Sequence, residues 1–409
     1  MPRGETTGVR LEGSERAGVW NLWSVRGVRF PHLTRLDRRY DGPVSEIWGM
    51  EADRLERLLG ESGLGNSAAE TVLERRESTR GFEERYRAEL EQLPDGARLV
   101  HLRDPDYPAR LHDLEEPPVF LYVHGDLEVC RREASVAMVG SRDAPIQDVR
   151  RARSAAGILA EAGLSVVSGG ALGIDRASHE GALEVGGETA VLLPAGLDRP
   201  SPSSNRDLFE RAADHGVVLS EYPLGVEVRR YHFPRRNRLI AALGDATFVV
   251  RAGPDSGTML TANAAREIGR PICALAGDLD EPLAEGCLDL IVEGAQAVRG
   301  ARDVLEHEFP DVSDDTRNST AEGTESGTPA GRERALESVA DQVSGDASAV
   351  LRTAVSAEVD LSRPVHADQL RELLDWPAAR VQTALLELEL HGVCEKSGGA
   401  QAYRFGGVG

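Results

Sequence analysis

Apolar positions divide the chain into zones of different period. Over residues 19–95 they recur at helical spacing: in "SEIWGMEADRLERLLGESGLG", Ile47, Met50, Leu55, Leu58 and Leu59 can share one helix face. This zone reads as a small all-helical domain. Over residues 96–308 the pattern changes to short apolar runs, "SVAMVG", "LSVVSGG", "TAVLLPAG", "GVVLSE", "ATFVVRAG" and "PICALAG". Each is followed by a turn and an amphipathic stretch, such as "DVRRARSAAGILAEAG" after the first and "TMLTANAAREIG" after the fifth. Strand, turn and helix in repeated alternation predict an α/β fold, a doubly wound parallel sheet covered on both faces. That architecture places ligands outside the carboxyl ends of the strands, so binding groups are expected in the turns that follow the runs.

Residues 310–345 are rich in Ser, Thr, Gly and acid and poor in large apolar side chains. Such a composition buries too little surface to offset the entropy of ordering, and predicts a flexible linker. Helical period returns over residues 346–406, in "HADQLRELLDW" and "PAARVQTALLELELHG", before "VCEKSGGAQAYRF", which reads as a β-hairpin. Helix, turn, helix and hairpin predict a winged-helix domain.

With 47 basic against 68 acidic residues and a formal net charge of −21, the chain is not built to coat nucleic acid by bulk charge. A polyanion site must be local. "RRYHFPRRNR", residues 229–238, runs against the overall balance, with five arginines in ten positions. Lys396 is the only lysine, so the abundance of arginine fits genomic base composition as readily as function, although a guanidinium fork suits phosphate oxygens. Cys130, Cys273, Cys287 and Cys394 are scattered without a CxxC pair, which suggests neither a zinc site nor a disulfide framework; no metal or cofactor is expected. "MPRGETTGVRLEGSERAG" lacks an apolar signal region and no run approaches the ~18 apolar residues of a membrane span. A soluble cytoplasmic protein with reduced thiols is expected.

Three turns have the chemistry of anion sites. Gly140-Ser141-Arg142 follows the first run and offers backbone access, a hydroxyl and a charge, although taken alone it is a weak signal for which an ordinary strand–helix turn is the plainer account. "SGGALGID", with Ser168, Gly169, Gly170, Gly173 and Asp175, opens a helix with bare amides, where hydrogen bonding and the helix dipole both favour an anion. It is not a dinucleotide fingerprint, since "AVLLPAG" ends in Pro194 and Ala195 rather than an acid, and there is no Walker A lysine. In the third turn Ser256 and Gly257 open a helix carrying Thr258 and Thr261, and Ser256 serves equally as an N-cap. Pro234 suits a first helical position, which aims Arg235, Arg236 and Asn237 at a helix N-terminus; cations are unfavourable there unless an anion intervenes. A solvated charge run is the plain alternative, but Tyr231, His232 and Phe233 offer the stacking faces that single-stranded bases use.

"VGSR", "SGGALGID", "LSEYPLG", "FPRRNRLIAAL" and "SGTMLTANAAREIGRPICALAGD", in that order, resemble the DNA-processing protein A family, also called DprA or Smf, over most of residues 96–308. The zone before them resembles the family's helical, SAM-like region, and the last zone its winged-helix domain. The resemblance implies a non-enzymatic protein with an extended Rossmann-like domain. That protein would bind single-stranded DNA, load the RecA recombinase during recombination and natural transformation, and form a homodimer. It further implies a DNA site made of Gly140, Ser141, Arg142, Ser168, Gly169, Gly170, Gly173, Asp175, His179, Arg235, Arg236, Asn237, Arg238, Ser256, Gly257 and Thr261. His179 is assigned to the pocket wall, and Asp175 to orienting the glycine turn. Ser201 and Pro202 stand where family members have tyrosine and proline, and Arg251 replaces an acid, adding charge beside the third turn. "VRGVRFPHL" takes the place of a helix-hairpin-helix turn, but Arg29 stands where a second glycine would let backbone approach a phosphate, so packing is its expected role. In the last zone Arg380 is set against Glu387 and Glu389, which favours a protein contact over duplex readout.

Two other readings compete. A phosphoribohydrolase resembling the lysine-decarboxylase-like Rossmann proteins needs a glutamate early in the helix after the third turn, where this chain has Thr258, Met259, Leu260 and Thr261 and no acid before Glu267. A scaffold could instead pair its arginines with another protein's acidic surface.

Overall fold

The computed structural model describes residues 12–40, 42–277 and 281–312, and short stretches between 365 and 405. The chain divides into two compact units, Met1–Ser313 and Asp314–Gly409. In the first, helices α1 (Gly13–Trp23), α2 (Phe30–Arg39), α3 (Ala52–Glu61), α4 (Asn66–Glu77) and α5 (Phe82–Glu91) precede strands β1 (Ala97–His101), β2 (Phe120–Gly125) and β3 (Ser135–Gly140). There follow α6 (Ile146–Glu161), β4 (Ser165–Ser168), α7 (Ile174–Glu184), β5 (Thr189–Leu193), α8 (Arg206–Asp214), β6 (Val217–Ser220) and α9 (His232–Leu243). The unit continues with β7 (Ala246–Arg251), α10 (Gly257–Glu267), β8 (Ile272–Leu275), α11 (Glu285–Val292), β9 (Gln296–Val298) and α12 (Ala301–Glu308).

All six apolar runs are strands of one nine-stranded sheet with the order β1-β2-β6-β5-β4-β3-β7-β8-β9. Strands β3 to β9 are mutually parallel, whereas β2 pairs antiparallel with β6, and β1 with β2. The extra strands escaped the periodicity because β1 and β2 lead into short 3-10 turns rather than amphipathic helices, and β9 has three residues. Alternation along β3 shows how both faces are filled. Val136 and Met138 point into a core shared with α6, α7 and α12, while Ala137 and Val139 point into one shared with α9, α10 and α11. The strand order reverses at β3, so the carboxyl ends of β3 and β7 flank the switch point where open α/β sheets bind ligands.

The N-terminal helices cover the face of the sheet beyond α6 and α7. Trp23 lies 5.3 Å from the Phe120 ring and 6.3 Å from the Tyr122 ring, and one hydrophobic core runs from Trp20 and Trp23 to Val191, Leu193 and Phe209. A polar chain threads this core. Trp20 Nε1 donates to Tyr122 Oη at 3.0 Å, Tyr122 donates to Glu89 Oε1 at 2.7 Å, and the same oxygen accepts from the Leu224 amide at 2.8 Å. The single helix face expected from Ile47 to Leu59 is broken into a 3-10 turn, Val44–Gly49, and α3, with Met50 extended between them. Tertiary contact overrides the local pattern here: Trp48 Nε1 donates to Gly18 O at 3.2 Å, pinning the turn to α1. Ile47, Met50, Leu55 and Leu59 are buried nonetheless.

In the second unit β10 (Val365–His366), β11 (Cys394–Ser397) and β12 (Ala402–Phe405) form an antiparallel sheet with the order β10-β12-β11. Strands β11 and β12 are the hairpin read from "VCEKSGGAQAYRF". Val381, Ala384, Leu385 and Leu388 are buried at the spacing of one helix stripe. Residues 313–345 of the expected linker, and Glu387 and Glu389, lie outside the described residues.

Because α1 and the sheet share one core, Trp23→Ala is expected to cost about 3–5 kcal/mol, as large-to-small changes of buried aromatics do. Urea unfolding followed by far-UV circular dichroism should show one transition at a lower midpoint. A separate early transition of the helices would contradict the shared core.

Candidate nucleic-acid interface

The first two turns interlock. Gly140 ends β3, the Ser141 amide donates to Arg251 O at 2.8 Å, and Ser141 O accepts from the Ile174 amide at 3.3 Å. The approach is close enough that a Cβ on Gly173, whose φ is +75°, would stand 2.5 Å from Ser141 O. Asp175, in the first turn of α7, is buried and accepts from the Ala171 amide at 3.4 Å. Burial raises its carboxyl above the usual range, and the positive charge of Arg236 opposes the rise.

Arg236 sits one turn into α9 with its guanidinium laid against the backbone of Gly169; a Cβ at 169 would fall 1.4 Å from Nη1. The residue is 3% exposed, yet its Nε and Nη1 have no hydrogen-bond partner. Burial pulls this group down to about 10, against the opposing charge of Asp175 and with the like charge of Arg142 adding to the fall. A buried cation with free donors is costly unless an acceptor arrives. Arg142 is exposed and stacks over the Phe233 ring at 4.5 Å, which ties the first turn to the start of α9. Asn237 Nδ2 donates to Gly257 O at 3.2 Å and ties α9 to the third turn.

Several expected site residues turn away from this surface. The Ser168 hydroxyl donates to Met138 O at 2.6 Å inside the sheet, and Gly170 faces inward, where a Cβ would meet Phe209 at 2.6 Å. His179 is fully buried with Nδ1 2.6 Å from Thr189 Oγ1, so it underlies the turn and is no pocket wall; burial first, and then Arg236, takes it down to about 3. Thr261 is buried on the inner face of α10, and Ser256 accepts from the Thr258 amide at 3.0 Å, the N-cap alternative.

The arginine run proves heterogeneous. Glu221, buried at the end of β6, accepts from Arg235 Nη2 at 3.1 Å and from Arg238 Nη2 at 2.6 Å, and Arg238 Nη1 donates to Glu116 O at 2.7 Å. The anion expected at this helix start is therefore the protein's own for Arg235 and Arg238, so neither guanidinium is unpaired at the rim. Arg251 is likewise paired, with Asp148 at 2.5 Å and Glu281 at 2.7 Å, and adds no free charge beside the third turn. His232 is buried, with Nδ1 2.9 Å from Pro194 O, so of the three aromatics only Phe233 and Tyr231 offer accessible rings. Sequence reasoning could not see Glu221 as the partner, because fourteen positions separate it from Arg235.

Among the described residues no three His, Cys, Asp or Glu gather as metal ligands, and no helix is long and apolar enough to cross a membrane. Cys130 and Cys287 are buried thiols, pushed up by burial to about 12 and about 11 respectively.

The fit between Gly169 and Arg236 is testable by a double-mutant cycle. Gly169→Ala is expected to lower unfolding stability by about 1–3 kcal/mol through overpacking. In an Arg236→Ala background the cost should shrink to about 0.5 kcal/mol or less. Equal costs in the two backgrounds would show that the contact is not what requires glycine.

Comparison with known proteins gives a consistent result. The family model described as DNA recombination-mediator protein A matches residues 98–308, and the one described as DprA winged helix domain matches residues 339–400. The protein Smf of a Synechocystis species is 35% identical over 301 residues, covering 72% of this chain and 73% of that protein. The DNA processing protein DprA of Streptococcus pneumoniae is 39% identical over 207 residues, covering 50% of this chain and 73% of its own length. An X-ray structure of DprA from the same species superposes with a TM-score of 0.62 at 29% identity, covering 73% of this chain and 99% of that one. Family models, relatives and superposition thus agree, and the chain belongs to the DNA-processing protein A family, DprA or Smf.

Proposed function

We propose that this protein binds single-stranded DNA along the rim formed by the turns after β3 and β4 and the start of α9. There it would act as a mediator that helps RecA onto the strand, and it catalyses no reaction of its own. One observation carries the reading: Arg236 is buried against bare Gly169 with two donors unpartnered, and a phosphate oxygen is the acceptor they lack. Arg142 on Phe233 supplies a second positive fork with an aromatic face beside it. A recessed guanidinium favours a flexible single strand, which can fold a phosphate inward, over the rigid surface of a duplex. The mediator role takes its support from the family description.

The hydrolase alternative asks for a carboxylate at the start of α10. Glu267 closes that helix, ten residues from Gly257, which at 1.5 Å per residue puts it about 15 Å away.

Two measurements test the reading. Affinity for oligothymidylate should fall with salt, with a slope near −0.7 per phosphate contact. Arg236→Met should lower that affinity about tenfold or more while leaving the unfolding stability of the free protein unchanged or raised, because it removes two buried donors that have no partner. A protein without single-strand affinity at low salt sinks the proposal, and release of free base from nucleoside monophosphates would overturn the non-enzymatic reading.

A further inference from the structure

The turn between α1 and α2, expected only to pack, holds a cation at the same rim. Arg26, exposed on that turn, lies over the Tyr231 ring at 5.8 Å. Tyr231 is 52% exposed and meets the His232 ring edge-on at 4.5 Å, and His232 stacks on Tyr222 at 4.2 Å. This ladder fixes the tyrosine from below and leaves its outer face to Arg26 and solvent. Arg229 and Arg230, just before Tyr231, are exposed, and among the described residues neither they nor Arg26 is in an ion pair. The neighbouring acids are occupied, Glu221 by Arg235 and Arg238 and Glu227 by Arg199. In a chain of net charge −21, three unneutralised arginines, one over an exposed ring and two directly before it in sequence, are a local exception.

Position makes the exception useful. Phe233 under Arg142 belongs with the end of β3, whereas His232 is tied to Pro194 at the end of β5, two strand spacings or about 10 Å away. Tyr231, against His232, and Arg26 over its ring carry the row of guanidiniums and rings on to the helical layer.

We infer that Arg26, Arg229, Arg230 and Tyr231 form a second segment of the DNA track, which engages a strand only when it is long enough to run out of the Arg142–Arg236 crevice onto the α1–α2 turn. The inference rests on the single-strand reading above. The crevice grips any short oligonucleotide, and the outer segment adds affinity with length. Stacking of a base on Tyr231 is worth about 1–3 kcal/mol, which corresponds to roughly tenfold or more in affinity.

Fluorescence anisotropy with labelled oligothymidylates of about 6 and about 20 nucleotides separates the two segments. For the wild type the longer strand should bind at least about tenfold more tightly than the shorter. The double variant Arg26→Glu, Tyr231→Ala should keep short-strand affinity within about twofold, lose the gain on the long strand, and show a salt slope smaller by about 0.7 for each lost phosphate contact. Arg26→Gln, which keeps the surface polar, should give an intermediate result and covers the case in which the double variant fails to fold. Arg142→Ala should weaken both lengths alike. Unchanged long-strand affinity in either outer variant, or equal losses on both lengths, overturns the second segment while leaving the crevice standing. Wild-type protein that binds neither length removes the crevice and the second segment together.

Discussion

A guanidinium taken out of water must find partners, and Arg236 is held where it finds too few. Asp175 moderates its charge across the glycine turn, but two of its nitrogens stay unpartnered inside the protein. Leaving a buried donor unsatisfied costs about 1–3 kcal/mol, and more when it is charged. The free protein carries this cost because the surroundings leave the side chain nowhere else to go. Gly169 provides the flat backbone surface on which it lies, Asn237 fixes α9 to the third turn, and the pairing of Arg235 and Arg238 with Glu221 holds the rest of the helix start in register. The unpartnered donors fall within the candidate site, as is common where preorganised binding is needed.

The sheet topology is what brings these groups together. Three loops separated by long stretches of sequence meet because β3, β4 and β7 are adjacent parallel strands whose carboxyl ends share one edge. The start of α9 then lies beside that edge and links the turns through Arg142 on Phe233 and Asn237 on Gly257. One helix start therefore serves as the common brace for otherwise independent turns.

Periodicity made the parallel core legible, since each strand is a compact apolar run buried on both faces and followed by a helix. It failed where tertiary packing set the geometry, as at Met50, where the anchoring of Trp48 breaks an apparently continuous helix, and at β1 and β2, which return antiparallel without a crossover helix. Within the candidate site, glycine spacing and the arginine run pointed to the sheet edge where Gly169 meets Arg236 and Arg142 meets Phe233. Which arginine is free and which is paired depends on where Glu221 and Asp148 project, and that is a property of the fold rather than of spacing. The hydroxyls of Ser168 and Thr261 were misread for the same reason: a polar residue at a strand end or helix start faces the ligand or the interior according to one rotation of the backbone.

Glu89 has a consequence for how the molecule can be divided. Its carboxylate lies between Tyr122 of the sheet and the Leu224 amide, at the base of the loop that carries Arg229, Arg230 and Tyr231. Cutting away the N-terminal helices to obtain a minimal sheet fragment would strip β2 of its aromatic cover and also cast that loop adrift, so such a fragment would be a poor surrogate for the intact surface even if it remained soluble.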